Sequence, residues 1–218
     1  MQSRDLFDLP ESLERFQDFF TLVARPREWV GQIAPALESL ASKEIQGGRD
    51  VFPSGLEVRG PIFIHASATL PGMGTILGPA YIGPECVLRP GVYIRGNVIA
   101  GKGCVLGNSC EFKNSLLLDH VQVPHFSYVG DSILGNRCHL GAGAILSNLR
   151  FDQEPVSAWT PEGKVFTGMK KLGGLLGDES EVGCNAVLQP GAILGRQSLV
   201  MTGMVYNGYL EPGTLAYQ

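Results

Sequence analysis

The sequence predicts a mainly β protein: a parallel β-helix with a short α-helical extension at its N-terminal side. Three observations predict it. Large apolar residues recur at every sixth position, from Val58, Ile64, Leu70, Ile76 and Ile82 through Leu88, Ile94, Ala100 and Leu106 to Phe112. The repeat resumes as Leu134, Leu140 and Leu146, and again as Leu176, Val182, Leu188, Leu194, Val200 and Tyr206. A second ladder of mostly small residues runs four places behind, including Ala68, Ala80, Cys86, Cys104, Cys110, Cys138, Ala144, Ala186 and Ser198. Glycine follows many of the large residues, as in Ile82-Gly83, Leu106-Gly107, Leu140-Gly141 and Val182-Gly183. Neither a helix nor a plain strand has a period of six. A solenoid that stacks turn on turn does.

Each hexapeptide supplies one short strand and a turn, so three close a triangular coil of about eighteen residues. The large residue points into the prism. The small one also points inward, near a corner where two large side chains would collide. The glycine at the second place reads as a turn residue with φ > 0. Backbone hydrogen bonds run between coils, which stack at about 4.8 Å.

At 218 residues the chain accommodates one large domain and a small appendage. Its 29 glycines suit a turn-dense solenoid. A net charge of −4 argues against a nucleic-acid partner, which calls for a broad basic face. No apolar run reaches the ~18 residues of a membrane span, and no signal-peptide pattern opens the chain. A cytoplasmic protein without a membrane partner is expected. Cys86, Cys104, Cys110 and Cys138 occupy the small inward place and read as buried small hydrophobes, reduced in the cytosol.

Residues 1–50 leave the hexad. Leu13, Phe16, Phe19, Phe20 and Val23 fall at helical spacing, and Arg25-Pro26 ends that stretch. Trp29, Ile33, Leu37 and Leu40 form a second stripe, closed by Gly47-Gly48. Two packed helices capping the open end of the coil are predicted for 1–50, and the β-helix for 51–218. The period slips to five from Phe112 to Leu117 and from Val129 to Leu134, and it vanishes over 149–175. That segment is an inserted loop, of a length usually tied to function or disorder.

Counting coils through the slips stacks Asn108, His125, Ala142, Cys184 and Thr202 on one edge, and Asn114, Asp131 and Asn148 on the next. Arg95 lies over Lys113, with Arg89 at the matching place on the preceding edge. A histidine, two adjacent cations and small residues with accessible amides therefore meet near the middle of the coil. Cations suit a phosphate or carboxylate. A histidine with a pKa near ~6.5 can accept a proton, and exposed amides can stabilise an oxyanion. The structural alternative is a satisfied histidine beside a solvated cationic face.

Glu111-Phe112-Lys113, then His125-Phe126-Ser127-Tyr128-Val129-Gly130-Asp131, then Gly141-Ala142-Gly143 and Asn148, resemble a known family. It is the acetyltransferase half of the bifunctional N-acetylglucosamine-1-phosphate uridyltransferase/glucosamine-1-phosphate acetyltransferases. The likeness is closer to archaeal-type sugar-1-phosphate nucleotidylyltransferases with an acetyltransferase tail, which share Asn148-Leu149-Arg150-Phe151-Asp152 and Lys171-Leu172-Gly173. It covers roughly residues 80–205.

The resemblance implies a left-handed coil of the hexapeptide acyltransferases. It also implies acetyl transfer from acetyl-CoA, with no metal, to an amino-sugar 1-phosphate such as glucosamine 1-phosphate, supplying N-acetylglucosamine 1-phosphate for UDP-N-acetylglucosamine synthesis. On that analogy His125 is the general base and Asn148 orients the sugar. Arg89 and Lys113 hold the phosphate, assisted by Tyr128 and by Lys170 or Lys171. His139 stands where the bacterial enzymes carry a sugar-contacting Asn. The Ala142 amide, Cys184 (a Ser in those enzymes) and Thr202 line the thioester and pantetheine. The family builds its sites between subunits of a homotrimer. The nucleotidyltransferase domain has no counterpart in this sequence, so a separate uridyltransferase acting downstream is an implied partner.

Three alternatives remain at this point. One is a γ-class carbonic anhydrase, since His120 and His125 have the spacing of two of its zinc ligands, although no His stands near Pro84 for the third. Another is a non-catalytic binding or scaffold coil. The last is an acyltransferase with a different amine acceptor.

Overall fold

The computed structural model describes residues 1–41 and 51–217. Its body is a parallel β-solenoid with three faces. The first face stacks eight strands, from Gly55–Arg59 to Val205–Tyr206; the second stacks eight, from Ile62–Ile64 to Tyr209–Leu210; the third stacks seven, from Val87–Leu88 to Leu215–Ala216. The chain visits third, first and second face in turn, as in Gln122–His125, Tyr128–Gly130 and Ile133–Leu134.

The strand register matches the six-residue count through both slips. Ile94, Phe112, Val129, Leu146, Leu188 and Tyr206 stack on the first face. Ala100, Leu117, Leu134, Leu176 and Leu194 stack on the second, and Leu106, Val123, Leu140, Val182 and Val200 lie in the third-face interior. These form one continuous core, buried except at partly exposed Tyr206, each large buried rung contributing about 1.5–3 kcal/mol of apolar transfer.

The small inward ladder does more than save space. Cys86 Sγ donates to the Gly101 carbonyl at 3.0 Å, Cys104 Sγ to Leu118 at 2.9 Å and Cys138 Sγ to Gly177 at 3.1 Å. Ser115, Ser127 and Ser180 make the same upward bond through Oγ. Cys and Ser are thus equivalent donors linking one coil to the next. All four buried cysteines are free thiols, and burial pushes Cys138 up to about 12.

The glycine after each large residue has a different cause from the one its position suggests. Gly83, Gly107, Gly141 and Gly183 are absent from the residues with positive φ. A Cβ on Gly107 would lie 2.1 Å from the carbonyl carbon of Pro124, and one on Gly183 would lie 2.4 Å from the Thr202 nitrogen. These glycines exist because the next coil's backbone passes over them. Left-handed torsions fall two places later, at Glu85, Ser109, Gly143 and Asn185.

Among the described residues, the N-terminal segment 1–41 packs along a flank of the coil, where the expectation was a cap over its open end. Glu11–Phe16 forms a 3-10 helix where the first helix was predicted, and the second stripe is helix α1, Pro26–Ala41. The predicted close at Gly47-Gly48 lies outside the described residues. Leu13, Phe16, Phe20, Trp29 and Ile33 pack in one buried cluster with Tyr81, Ile99, Leu116, Ile133, Leu175 and Ile193, the outward residues of the second face. An outward apolar row down one whole face needs cover along its length, which a plug at one end cannot give.

The inserted loop joins that cover. Ser157–Thr160 and Gly163–Phe166 form an antiparallel hairpin. Val156, Ala158 and Leu172 are buried in the same cluster. The Met1 amine reaches Glu162 at the hairpin turn, 2.9 Å away. Asp8 and Asp178 together hold Arg196, at 2.7 and 3.0 Å, pinning the segment to the coil. Among the described residues, no helix is long and apolar enough to cross a membrane.

Two glycine substitutions separate close approach from helix propensity. Gly107→Ala is expected to lower stability by about 3 kcal/mol, since backbone must move. Gly31→Ala, in α1 with nothing within 4 Å of the added carbon, is expected to raise it by about 0.5–1 kcal/mol. Urea unfolding of both variants checks the signs; an undisturbed Gly107→Ala protein contradicts the packing account.

Candidate active site

The corner between the third and first faces carries the predicted column, and four hydrogen bonds trace it. Phe126 N donates to Asn108 O (2.9 Å), Gly143 N to His125 O (3.1 Å), Asn185 N to Ala142 O (2.9 Å) and Gly203 N to Cys184 O (2.8 Å). Each rung is the residue after one column member bonding to the member below. Asn108, His125, Ala142, Cys184 and Thr202 are therefore stacked as the count places them. Among the described residues, the amides of Ala142, Cys184 and Thr202 donate to no protein group. Cys184 and Thr202 are exposed, and so is the His125 side chain. The result is an open corner with outward amides above a solvent-facing imidazole.

The residue after each column member is left-handed: Gly91, Ser109, Phe126, Gly143, Asn185 and Gly203, with φ of 76°, 50°, 53°, 74°, 54° and 72°. All but one are Gly, Ser or Asn. Phe126 is bulky and 60% exposed, so it accepts a strained torsion with little burial in return, a cost of about 1–2 kcal/mol. Exposed Glu85, Arg137 and Gln197 take the same torsion at other corners, so the turn is a rule of the coil, and Phe126 is distinguished by its place beside His125. Its ring lies 6.1 Å from that of His125.

The other end of the first face holds a second cluster, organised by Asp131. This carboxylate is 4% exposed and accepts from Lys113 Nζ at 2.9 and 3.0 Å, Asn114 Nδ2 at 2.8 Å and Asn148 Nδ2 at 2.5 Å. Asn148 Nδ2 also lies 3.1 Å from Tyr128 Oη. A Cβ on Gly130 would sit 2.4 Å from Tyr128 Oη and 2.8 Å from Asn148 Nδ2; its absence gives the tyrosine room to reach across the face. Burial, and then the Asp131 charge, push the Tyr128 phenol up.

The predicted cations are placed differently from one another. Arg95 lies over Lys113 in register, but both are neutralised: Arg95 pairs with Glu111 at 2.6 Å and Lys113 with Asp131. Arg89 stands on the third-to-first corner, its N bonded to Leu106 O. It is separated from Lys113 by the width of the first face, so the two do not form one phosphate clamp within a chain. Lys170 and Lys171 are exposed. An antiparallel bridge from Lys171 to Leu149, with Leu172 N donating to Asn148 O at 3.0 Å, brings the loop's end beside Asn148.

His139 faces out from the third face, 3.9 Å from Glu181. It lines a groove of about 270 Å³ with Cys184, Thr202, Leu199 and Met201, on the cofactor side of the predicted set and away from Lys113. His120 and His125 sit at opposite ends of their coil's third-face strand. Among the described residues, no three His, Cys, Asp or Glu side chains of one chain are grouped to hold a metal. Sequence reasoning missed Asp131 as organiser, Glu111 as the Arg95 partner, and Phe126. The stacking of Asp131 between Asn114 and Asn148, three short polar side chains in register, was the available signal for the first.

The family described as the GMPPB C-terminal domain matches residues 76–158. The bifunctional protein GlmU of Methanococcus maripaludis strain C5 is 36% identical over 129 residues, 59% of this chain and 31% of that one. A Sulfurisphaera tokodaii bifunctional sugar-1-phosphate nucleotidylyltransferase/acetyltransferase is 28% identical over 199 residues, 90% of this chain and 49% of that one. An Escherichia coli K12 protein named as an uncharacterised acetyltransferase, YaiX, is 31% identical over 158 residues, 72% of this chain and 69% of that one. The chain belongs to the hexapeptide-repeat acetyltransferase family. It spans about a third of the length of the GlmU relatives it matches.

Two substitutions test this cluster and corner. Phe126→Asn is expected to raise stability by about 1 kcal/mol by relieving the left-handed strain, read as a higher melting temperature. Asp131→Asn strands the Lys113 ammonium and is expected to cost about 2 kcal/mol in urea unfolding; an unchanged midpoint removes Asp131 as the organiser.

Proposed function

We propose that this protein is an acetyl-CoA-dependent N-acetyltransferase whose acceptor is an amino sugar bearing phosphate, glucosamine 1-phosphate being the first candidate. The observation that carries this reading is the third-to-first corner. It holds an exposed imidazole at the foot of a row of amides, at Ala142, Cys184 and Thr202, that donate to no other described protein group. A structural corner has no need of that combination.

Acetyl-CoA supplies the acetyl group as a thioester. In this reading the His125 imidazole takes a proton from the acceptor amine as it adds to the carbonyl carbon. It returns that proton to the departing sulfur, so His125 ends the cycle neutral. The outward amides, Ala142 foremost, stabilise the charge that develops on the carbonyl oxygen. Cys184 contributes its main chain, a role that the exchange of Ser for Cys preserves. Asn148, fixed by Asp131 and Tyr128, orients the sugar hydroxyls. Lys113 and the loop lysines 170 and 171 face the phosphate. The family resemblance supports a homotrimer with sites between subunits, which brings the two ends of the first face together across a boundary.

A thiol-release assay with acetyl-CoA against glucosamine 1-phosphate, galactosamine 1-phosphate and free glucosamine tests the proposal. His125→Ala is expected to lower kcat at least about 100-fold, and full activity in that variant would sink the general-base role. Lys113→Ala is expected chiefly to raise the acceptor KM about tenfold. Sedimentation equilibrium should give three times the 23.4 kDa chain mass; an active monomer removes the intersubunit site.

A further inference from the structure

A second groove of about 450 Å³ lies beside this site, within the range of small-molecule sites, about 300–1,000 Å³. It runs between the inserted hairpin and the outer side of the first face. The column carrying Arg95 and Lys113 continues in register through Gly130, Ser147, Gln189 and Asn207. The last three line the groove together with Ser157, Trp159 and Lys164 of the hairpin. Ser147 and Leu149, the chain neighbours of Asn148, both line it.

Three features of the groove point to one ligand chemistry. The first is a half-exposed indole: Trp159 keeps 45% of its surface in solvent. It stands over Gly208, where a Cβ would come within 4.0 Å of the indole Cδ1. An aromatic of that size left open on a hairpin is a stacking platform. The second is the lining: Gln189, Asn207, Ser147 and Ser157 offer donors and acceptors without charge, the complement of a heterocycle's edge. The third is the position of positive charge. Arg95, Lys113 and Arg150 are each matched by a carboxylate, Glu111, Asp131 and Asp152. Lys164, directly across the hairpin from Trp159, makes no ion pair among the described residues, so the groove's uncompensated cation lies beside its aromatic platform.

We propose that this groove binds a nucleoside phosphate, with the base stacked on Trp159, its edge on Gln189 and Asn207, and a phosphate on Lys164. The chemistry has two sources. One is a nucleotide-linked acceptor, whose sugar then extends towards Asn148. The other is the nucleotide end of the acyl carrier. Both sources rest on the acyltransferase reading, but the groove does not include His125, so nucleotide binding and the general-base role are tested separately.

Isothermal titration of the full chain with UMP, UDP and adenosine 3′,5′-bisphosphate tests it, with inorganic phosphate and glucosamine as controls. Saturable binding of at least one nucleotide is expected, weakened about tenfold or more in Trp159→Ala and retained in His125→Ala. Lys164→Glu, an exposed change, should weaken the nucleotides while leaving the free nucleosides unaffected; thermal melts confirm that both variants fold. Binding of the uridine nucleotides alone assigns the acceptor, binding of the bisphosphate alone assigns the carrier, and both support the shared chemistry. No saturable binding at millimolar nucleotide overturns the proposal. So does undiminished binding in Trp159→Ala, or an equal response to glucosamine.

Discussion

The structure depends on how closely successive coils approach. Parallel strands at about 4.8 Å leave no space for a Cβ where a corner of one coil passes over the next. Gly107, Gly141 and Gly183 meet backbone at 2.1 to 2.6 Å in that position. With the coils fixed at this separation, the other positional rules follow. The inward small residue sits under the next coil's carbonyl, and a thiol or hydroxyl there becomes a donor, as at Cys104 and Ser115. The corner two places after the glycine must turn left-handed, which favours Gly, Asn and Ser. Outside the inserted loop, residues one coil apart then stack in columns whose spacing is eighteen, seventeen where the period slips to five, and sixteen in the last coil.

Those columns explain the electrostatics of the candidate site. A column places like residues face to face, so Arg95 over Lys113 would be two cations at strand separation. Unscreened, such a pair repels by about 1 kcal/mol in water and about 4 kcal/mol at a half-buried surface. Each is instead drawn to a carboxylate, Glu111 for Arg95 and Asp131 for Lys113. The cluster is thereby preorganised and close to neutral before any ligand arrives. Among the described residues, Lys164, Lys170 and Lys171 of the inserted loop make no ion pair, so uncompensated positive charge lies on the loop rather than in the cluster. The loop's length is thus tied to electrostatics as well as to cover.

Much of this was legible in the sequence, because a period of six is a statement about three-dimensional register. The count through both slips placed His125, Ala142, Cys184 and Thr202 on one column, and the backbone hydrogen bonds follow that column. Glycine was misread: a place in a repeat where glycine recurs shows that a Cβ is excluded there, but not whether torsion or the next coil excludes it. Ion pairing was also out of reach, since Arg95 reaching Glu111 is a matter of rotamer. The hairpin at 157–166 was missed because its strands are four residues long and only Val156 and Ala158 alternate inward.

The position of the N-terminal segment was encoded, though in a register other than the one that reveals the coil. The residue just before each inward rung points outward. On the second face these are Phe63, Tyr81, Ile99, Leu116, Ile133, Leu175 and Ile193, apolar at every level. On the first face the equivalent positions mix Tyr93, Glu111 and Tyr128 with Ile145, Val187 and Val205. On the third, Gln122, His139 and Glu181 share the row with Val87, Val105, Leu199 and Leu215, so neither row is apolar at every level. One face of three therefore demands an apolar cover. The amphipathic stripe of α1 and the buried side of the inserted loop meet that demand together, joined at Met1 and Glu162. With the second face sealed, polar chemistry is confined to the other two and to the corner between them. His125 stands on that corner, and the carboxylate-centred cluster of Asp131 stands at the far edge of the same first face.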